Sequence, residues 1–223
     1  MADEGLADDR AIPVKSHFED ASQQRAAEMA GMWLFLATEL MLFGGLFAAF
    51  AHYRTKFPEG FALAAAHLDL PLATVNTAIL LTSGLAVAKA EPAFRAGDRR
   101  LGCRLIALTM ALGTLFLALK GYEYWTEYSH GLMPFAGLAF DWDGPHPAAA
   151  HLFFDFYYAM TALHALHMIV GIGLLGVMLY LARTADDGFW LSRRVQIAGL
   201  YWAFVDMVWV FVFASLYLLG GEA

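Results

Sequence analysis

Cysteine occurs once in these 223 residues, at Cys103. An internal disulfide and any cysteine-based metal cluster are thereby excluded. Basic residues are few: 14 lysines and arginines stand against 21 acids, for a formal net charge of −7. They form no patch suited to nucleic acid. Proline is scarce, and Pro71 and Pro92 fall only at the edges of apolar runs. No internal repeat and no low-complexity segment is present. Nor is there an apolar leader: acids outnumber Arg10, Lys15 and Arg25 in residues 1–28, which read as a cytoplasmic tail rather than a cleaved signal.

What the chain has in quantity is hydrophobic sequence. Apolar residues make up 60% of it and the mean hydropathy is +0.53, against about 45–50% apolar in soluble domains. Several runs are long enough to cross a bilayer. The expected fold is all-α: a polytopic transmembrane bundle of five spans, at about 29–53, 71–90, 102–125, 151–182 and 194–219. The expected domains are a polar tail, 1–28, and a five-helix domain, 29–223.

The basic residues orient the bundle. The tail carries three, the loop after the second span five (Lys89, Arg95, Arg99, Arg100, Arg104) and the loop after the fourth three (Arg183, Arg193, Arg194). The other side has only Arg54 and Lys56, and Lys120 lies within the third span. Eleven against two places the N-terminus in the cytoplasm and the C-terminus outside. The loop 126–150, which has no lysine or arginine, is then external.

A few polar groups interrupt the spans. Glu39 falls near the middle of the first, a helix about 37 Å long at 1.5 Å per residue. Its i±3 and i±4 neighbours Phe35, Leu36, Leu42 and Phe43 are apolar. A charged carboxylate at that depth costs about 2.5–3.5 kcal/mol. Glu39 should therefore meet a polar group from another helix or be carried as the neutral acid, either passing protons or making a structural hydrogen bond. His52 lies further along and on another face, so the two cannot pair. With Trp33 and Arg54 it is a lipid-binding candidate at a membrane boundary.

Lys120 and Glu123, three residues apart, can pair on one helix face near the outer end. There snorkelling costs little and Tyr122, Tyr124 and Trp125 suit an aromatic belt. In the fourth span Tyr157, Thr161, His164 and Met168 form a row at helical spacing, with His167 close by. Asp206 is central in the fifth, flanked by Trp202 and Trp209. A histidine or hydroxyl of the fourth span is its expected partner, making Thr161, His164, His167 and Asp206 an intramembrane polar cluster.

The HxxH spacing of His164 and His167 occurs in metal sites. A transmembrane bis-histidine haem needs ligands on facing helices. The other histidines (His17, His52, His67, His130, His146 and His151) fall in tails, loops or helix ends. No metal or haem is expected on this chain.

Five segments in order, GMWLFLATELMLFGGLFAAFAHY, PLATVNTAILLTSG, LFLALKGYEYW, FYYAMTALHALHMIVG and YWAFVDMVWVFVFASLYLLGG, together resemble subunit III of the haem-copper respiratory oxidases. They span residues 29–220. Three positions depart from the pattern. Ala203 stands where the last motif usually has histidine, Ala48 replaces an aromatic, and Lys120 takes the place of a common glutamine. Five spans instead of seven resemble the shorter bacterial form.

The resemblance implies a subunit without a redox centre that packs beside subunit I, which holds the haems and copper, and subunit II. It implies structural phospholipids in a cleft, support of proton uptake, and protection of the catalytic subunit, in a bacterial inner membrane. Glu39 matches the family's buried glutamate, and His52, His164, His167 and Asp206 its polar positions. The complex would reduce oxygen while pumping protons, with either cytochrome c or quinol as donor. Three other readings are open: a companion subunit of a nitric oxide reductase, a small proton-coupled transporter using Glu39 and Asp206, and a membrane b-type cytochrome. The transporter lacks the inverted repeats or broken helices common in that class.

Overall fold

The computed structural model of the chain describes residues 20–134, 140–184 and 188–218. Most of the 1–28 tail, part of the 126–150 loop and Gly220-Gly221 lie outside them. Among the described residues the structure is helical. Helix α1 is Ala21–Lys56, α2 Pro58–Ala65, α3 Leu70–Arg95, α4 Arg99–Ser129, α5 Pro147–Thr184 and α6 Gly188–Phe213. A wider π-turn, Ala214–Leu218, continues α6. Five of these elements are long and apolar enough to cross a membrane, as expected: Ser22–Lys56, Leu70–Arg95, Arg99–Ser129, Pro147–Thr184 and Leu191–Leu218.

Local chemistry explains why the helices outrun the apolar runs. The Asp98 carboxylate accepts from Leu101 N at 2.9 Å, capping α4, which starts three residues before its expected apolar run. Asp69 does the same for α3 through Leu72 N, with Pro71 in the first turn. Helix α3 runs past Ala90 with Pro92 in its final turn, and Gly97, at φ 81°, closes it. The loop expected over 54–70 contains α2, started by Pro58. Phe61 of α2 is buried against Phe50 and Phe153, at 5.6 Å from each ring.

By its contacts the chain divides into two units, Met1–Leu42 and Phe43–Ala223. In the second unit α3 packs against α4 and α6, and α5 against α6, α4 and α2. Much of the outward surface is apolar: Leu81, Leu115, Leu166, Ile169 and Phe211 are exposed. In lipid such surface gives no drive to associate. Close packing and interhelical hydrogen bonds hold the helices together. Two tryptophans of α6 supply both. Trp202 Nε1 donates to Ser83 Oγ at 3.0 Å and Trp209 Nε1 to Thr77 Oγ1 at 2.9 Å, tying α6 to α3.

Candidate functional site

The densest polar group of the second unit forms where α4, α5 and the π-turn meet. One turn of α4 places Lys120 and Glu123 on the same face, and their Nζ and Oε2 are 3.0 Å apart. The Lys120 ammonium also donates to Tyr157 of α5 at 3.2 Å and to Tyr217 at 2.8 Å. Both tyrosines in turn donate to Glu123 Oε1, Tyr157 at 2.8 Å. Each phenol thus accepts from the cation and donates to the anion, closing the network over three elements. Nζ lies 4.9 Å from the Tyr157 ring centroid and 5.3 Å from that of Trp209, a further cation–π contribution.

This corrects the expected snorkelling pair. The Lys120 and Glu123 side chains are only 6% and 3% exposed. Tyr122 and Trp125 do face outward, but Tyr124 turns inward, its hydroxyl 2.5 Å from Thr161 Oγ1. Tyr157 and Tyr217 turn the pair inward, and neither neighbours it in sequence. Glu127 is buried one turn further along α4, and its Oε2 has no hydrogen-bond partner among the described residues.

The expected intramembrane cluster is not joined. Thr161 belongs to the tyrosine end, donating to Tyr157 O and meeting Tyr124. His164 is buried between Phe116 and Trp209, with ring centroids at 5.5 and 5.1 Å. Neither of its nitrogens has a partner among the described residues. His167 lies in different surroundings, its Nδ1 2.8 Å from Leu163 O and its ring 5.2 Å from that of Phe43. The two histidines therefore do not share one setting.

Asp206 is 7% exposed, and its Oδ1 has no partner among the described residues. Among the described residues no hydrogen bond joins it to a side chain of α5. Its other oxygen lies against Gly84 of α3, where any Cβ would collide with it. The missing side chain at Gly84 opens a notch that takes the carboxyl toward α3. A glycine offers no polar signal from which this could be read.

The remaining candidates lie on α1. Glu39 is half-buried on α1, next to Thr38, whose hydroxyl donates to Phe35 O at 2.6 Å. Trp33 is 58% exposed. His52 is exposed, its ring edge-on to Tyr53 at 5.3 Å, and Arg54 is half-buried. Among the described residues no group of three or more histidine, cysteine or acidic side chains is arranged to hold a metal.

Comparison with known proteins bears on this arrangement. The family model described as cytochrome c oxidase subunit III matches residues 17–221. A relative named cytochrome c oxidase subunit 3 from Synechocystis is 34% identical over 194 residues, 86% of this chain and 75% of its own length. The protein of the same name from Bacillus sp. PS3 is 31% identical over 203 residues, 90% of each chain. That from Alkalihalophilus pseudofirmus is 30% identical over 210 residues, covering 92% of this chain and 93% of its own.

Proposed function

The chain belongs to the cytochrome c oxidase subunit III family, a membrane component of a haem-copper oxidase, and from that premise we propose that it serves the complex without a redox centre of its own. It packs against subunits I and II, and subunit I holds the haems and copper. Those groups supply the electron transfer to oxygen, with cytochrome c as the donor that the relatives' names indicate. This chain's residues brace helices, hold phospholipid and support proton uptake. The readings as a nitric oxide reductase companion or a transporter are not favoured, since the relatives are oxidase subunits.

One observation carries the proposal: the Lys120–Glu123 network and His164 are engaged in packing. Lys120 and Glu123 close on each other and on two phenols, and His164 is enclosed by Phe116 and Trp209. Such residues fix helices relative to one another. On α1, Trp33, His52 and Arg54 are the proposed lipid contacts, an aromatic and two groups able to donate to a phosphate.

Glu39 separates a bracing role from an essential proton path. Glutamine keeps the size and hydrogen bonds of the acid but releases no proton. Oxygen consumption should continue in assembled complexes of both Glu39→Gln and Glu39→Ala. The alanine variant should lose about 1–3 kcal/mol of bundle stability and a shorter active lifetime should follow. Abolished oxygen reduction in a fully assembled Glu39→Gln complex would refute the bracing role.

The proposed setting is a bacterial inner membrane, N-terminus in the cytoplasm. In a Cys103→Ser background, an impermeant thiol reagent added to intact cells should label a cysteine at Asp143 and spare one at Arg99. The reverse labelling would invert the topology.

A further inference from the structure

The arginines near one end of α4 and α5 do more than orient the chain. Arg99, Arg100 and Arg104 occupy the first turns of α4, and Arg183 lies next to the end of α5. With Cys103 and Ala182 they line an open cavity of about 500 Å³. Arg99 Nε donates to Ala182 O, fastening the two helix ends together at the cavity wall. Arg100, Arg104 and Arg183 are exposed and enter no ion pair among the described residues. Asp186 and Asp187 lie outside the described residues.

Side chains on the same helix faces are apolar. Leu101 and Leu108 are three and four residues from Arg104, and Tyr180 is three from Arg183. All three are exposed. The arginine-lined cavity is thus followed, within about one turn of each helix, by exposed hydrocarbon outside its lining. A free anion would use only the first part. A molecule with a phosphate head and acyl chains would use both.

We propose that the cavity formed by Arg99, Arg100, Arg104 and Arg183 binds the phosphate of an anionic phospholipid, whose chains run along the Leu101–Leu108 and Tyr180 faces. Planar guanidinium groups grip phosphate oxygens in pairs. Basic cavities between membrane helices are suited to acidic headgroups. This site shares no residue with the α1 lipid candidates, so it can fail while they stand.

Cys103 reports on occupancy because it lines the cavity. The purified oxidase complex is placed in nanodiscs of phosphatidylcholine alone or with phosphatidylglycerol. Alkylation of Cys103 by N-ethylmaleimide, a neutral reagent, is followed by mass spectrometry of its peptide. Phosphatidylglycerol should slow the reaction several-fold. Arg104→Gln should raise the phosphatidylglycerol concentration needed by about fivefold, and Arg100→Gln with Arg104→Gln should abolish the protection. Equal rates for the native complex in the two lipids would overturn the proposal, whether or not any variant assembles. So would undiminished slowing in the double variant, which would mark a general surface effect. Equal protection by inorganic phosphate in phosphatidylcholine discs would assign the cavity to free anions and overturn the lipid reading.

Discussion

Lys120→Met should release this subunit from its complex at temperatures where the unaltered complex remains whole. The substitution removes the cation and leaves Glu123 buried with two phenols as its only described partners. Breaking one side of a buried ion pair costs about 3–5 kcal/mol, because the other charge stays desolvated. Glu123→Gln should cost a similar amount, leaving an ammonium with three hydrogens to place and no carboxylate in hydrogen-bond contact among the described residues. The pair is not itself a strong source of stability, since desolvation offsets much of its attraction. The double variant Lys120→Met/Glu123→Gln should therefore recover most of what either single change loses: the glutamine carbonyl can still accept from Tyr157 and Tyr217. The dissociation temperature of the subunit on native gels, compared across a double-mutant cycle, is the measurement. Single variants as stable as the parent would mean that water reaches the pair. A double variant showing the summed loss would mean that the two residues act independently.

Gly113→Val should prevent the subunit from assembling at all. The Trp202 indole is fully buried and lies between two glycines on different helices. A Cβ at Gly113 of α4 would sit 2.6 Å from Trp202 Cη2 and 3.0 Å from Cζ2. One at Gly171 of α5 would sit 3.0 Å from Cε3. The ring cannot retreat, because its nitrogen is held by Ser83 and its far edge by the second glycine. A single added methyl, Gly113→Ala, should cost about 1–3 kcal/mol as overpacking, and the branched side chain more than the bundle can absorb. Gly121 of the same helix has nothing within 4 Å of the corresponding position. Gly121→Ala should leave assembly intact and gain about 0.5–1 kcal/mol from helix propensity. The amount of subunit retained after purification in mild detergent distinguishes these outcomes. Normal recovery of Gly113→Val would show that the glycine pair is not what receives Trp202.

The five spans were legible because a bilayer demands long apolar helices, and long apolar runs such as that around Glu39 satisfy only that demand. Their ends were less so, since hydropathy does not register a cap: Asp98 starts α4 ahead of its apolar run. The pairing of Lys120 with Glu123 followed from spacing alone. Their burial did not, because it depends on Tyr157 and Tyr217, 37 and 97 positions from Lys120 in the chain. Asp206 shows the other limit. Counting polar groups pointed it toward α5, whereas the absence of a side chain at Gly84 decided its direction. The arginines were read as a charge count, and the cavity they line depends on how α4 and α5 end beside each other.

The wide turn at Ala214–Leu218 bears on how this part of the chain can vary in length. A π-turn holds one residue more than the α-helical turn it replaces. Deleting any residue there would leave a regular helix with its backbone bonds intact, and by local criteria a better one. Tyr217 would keep nearly its place, because the five residues of a π-turn cover about the arc and rise that four cover in an α-helix. Gaps and insertions are ordinarily tolerated near the end of a helix. Here the wide turn absorbs such a change, whereas a deletion between Asp206 and Phe213, where the helix is regular, would swing Tyr217 by about 100° away from the ammonium.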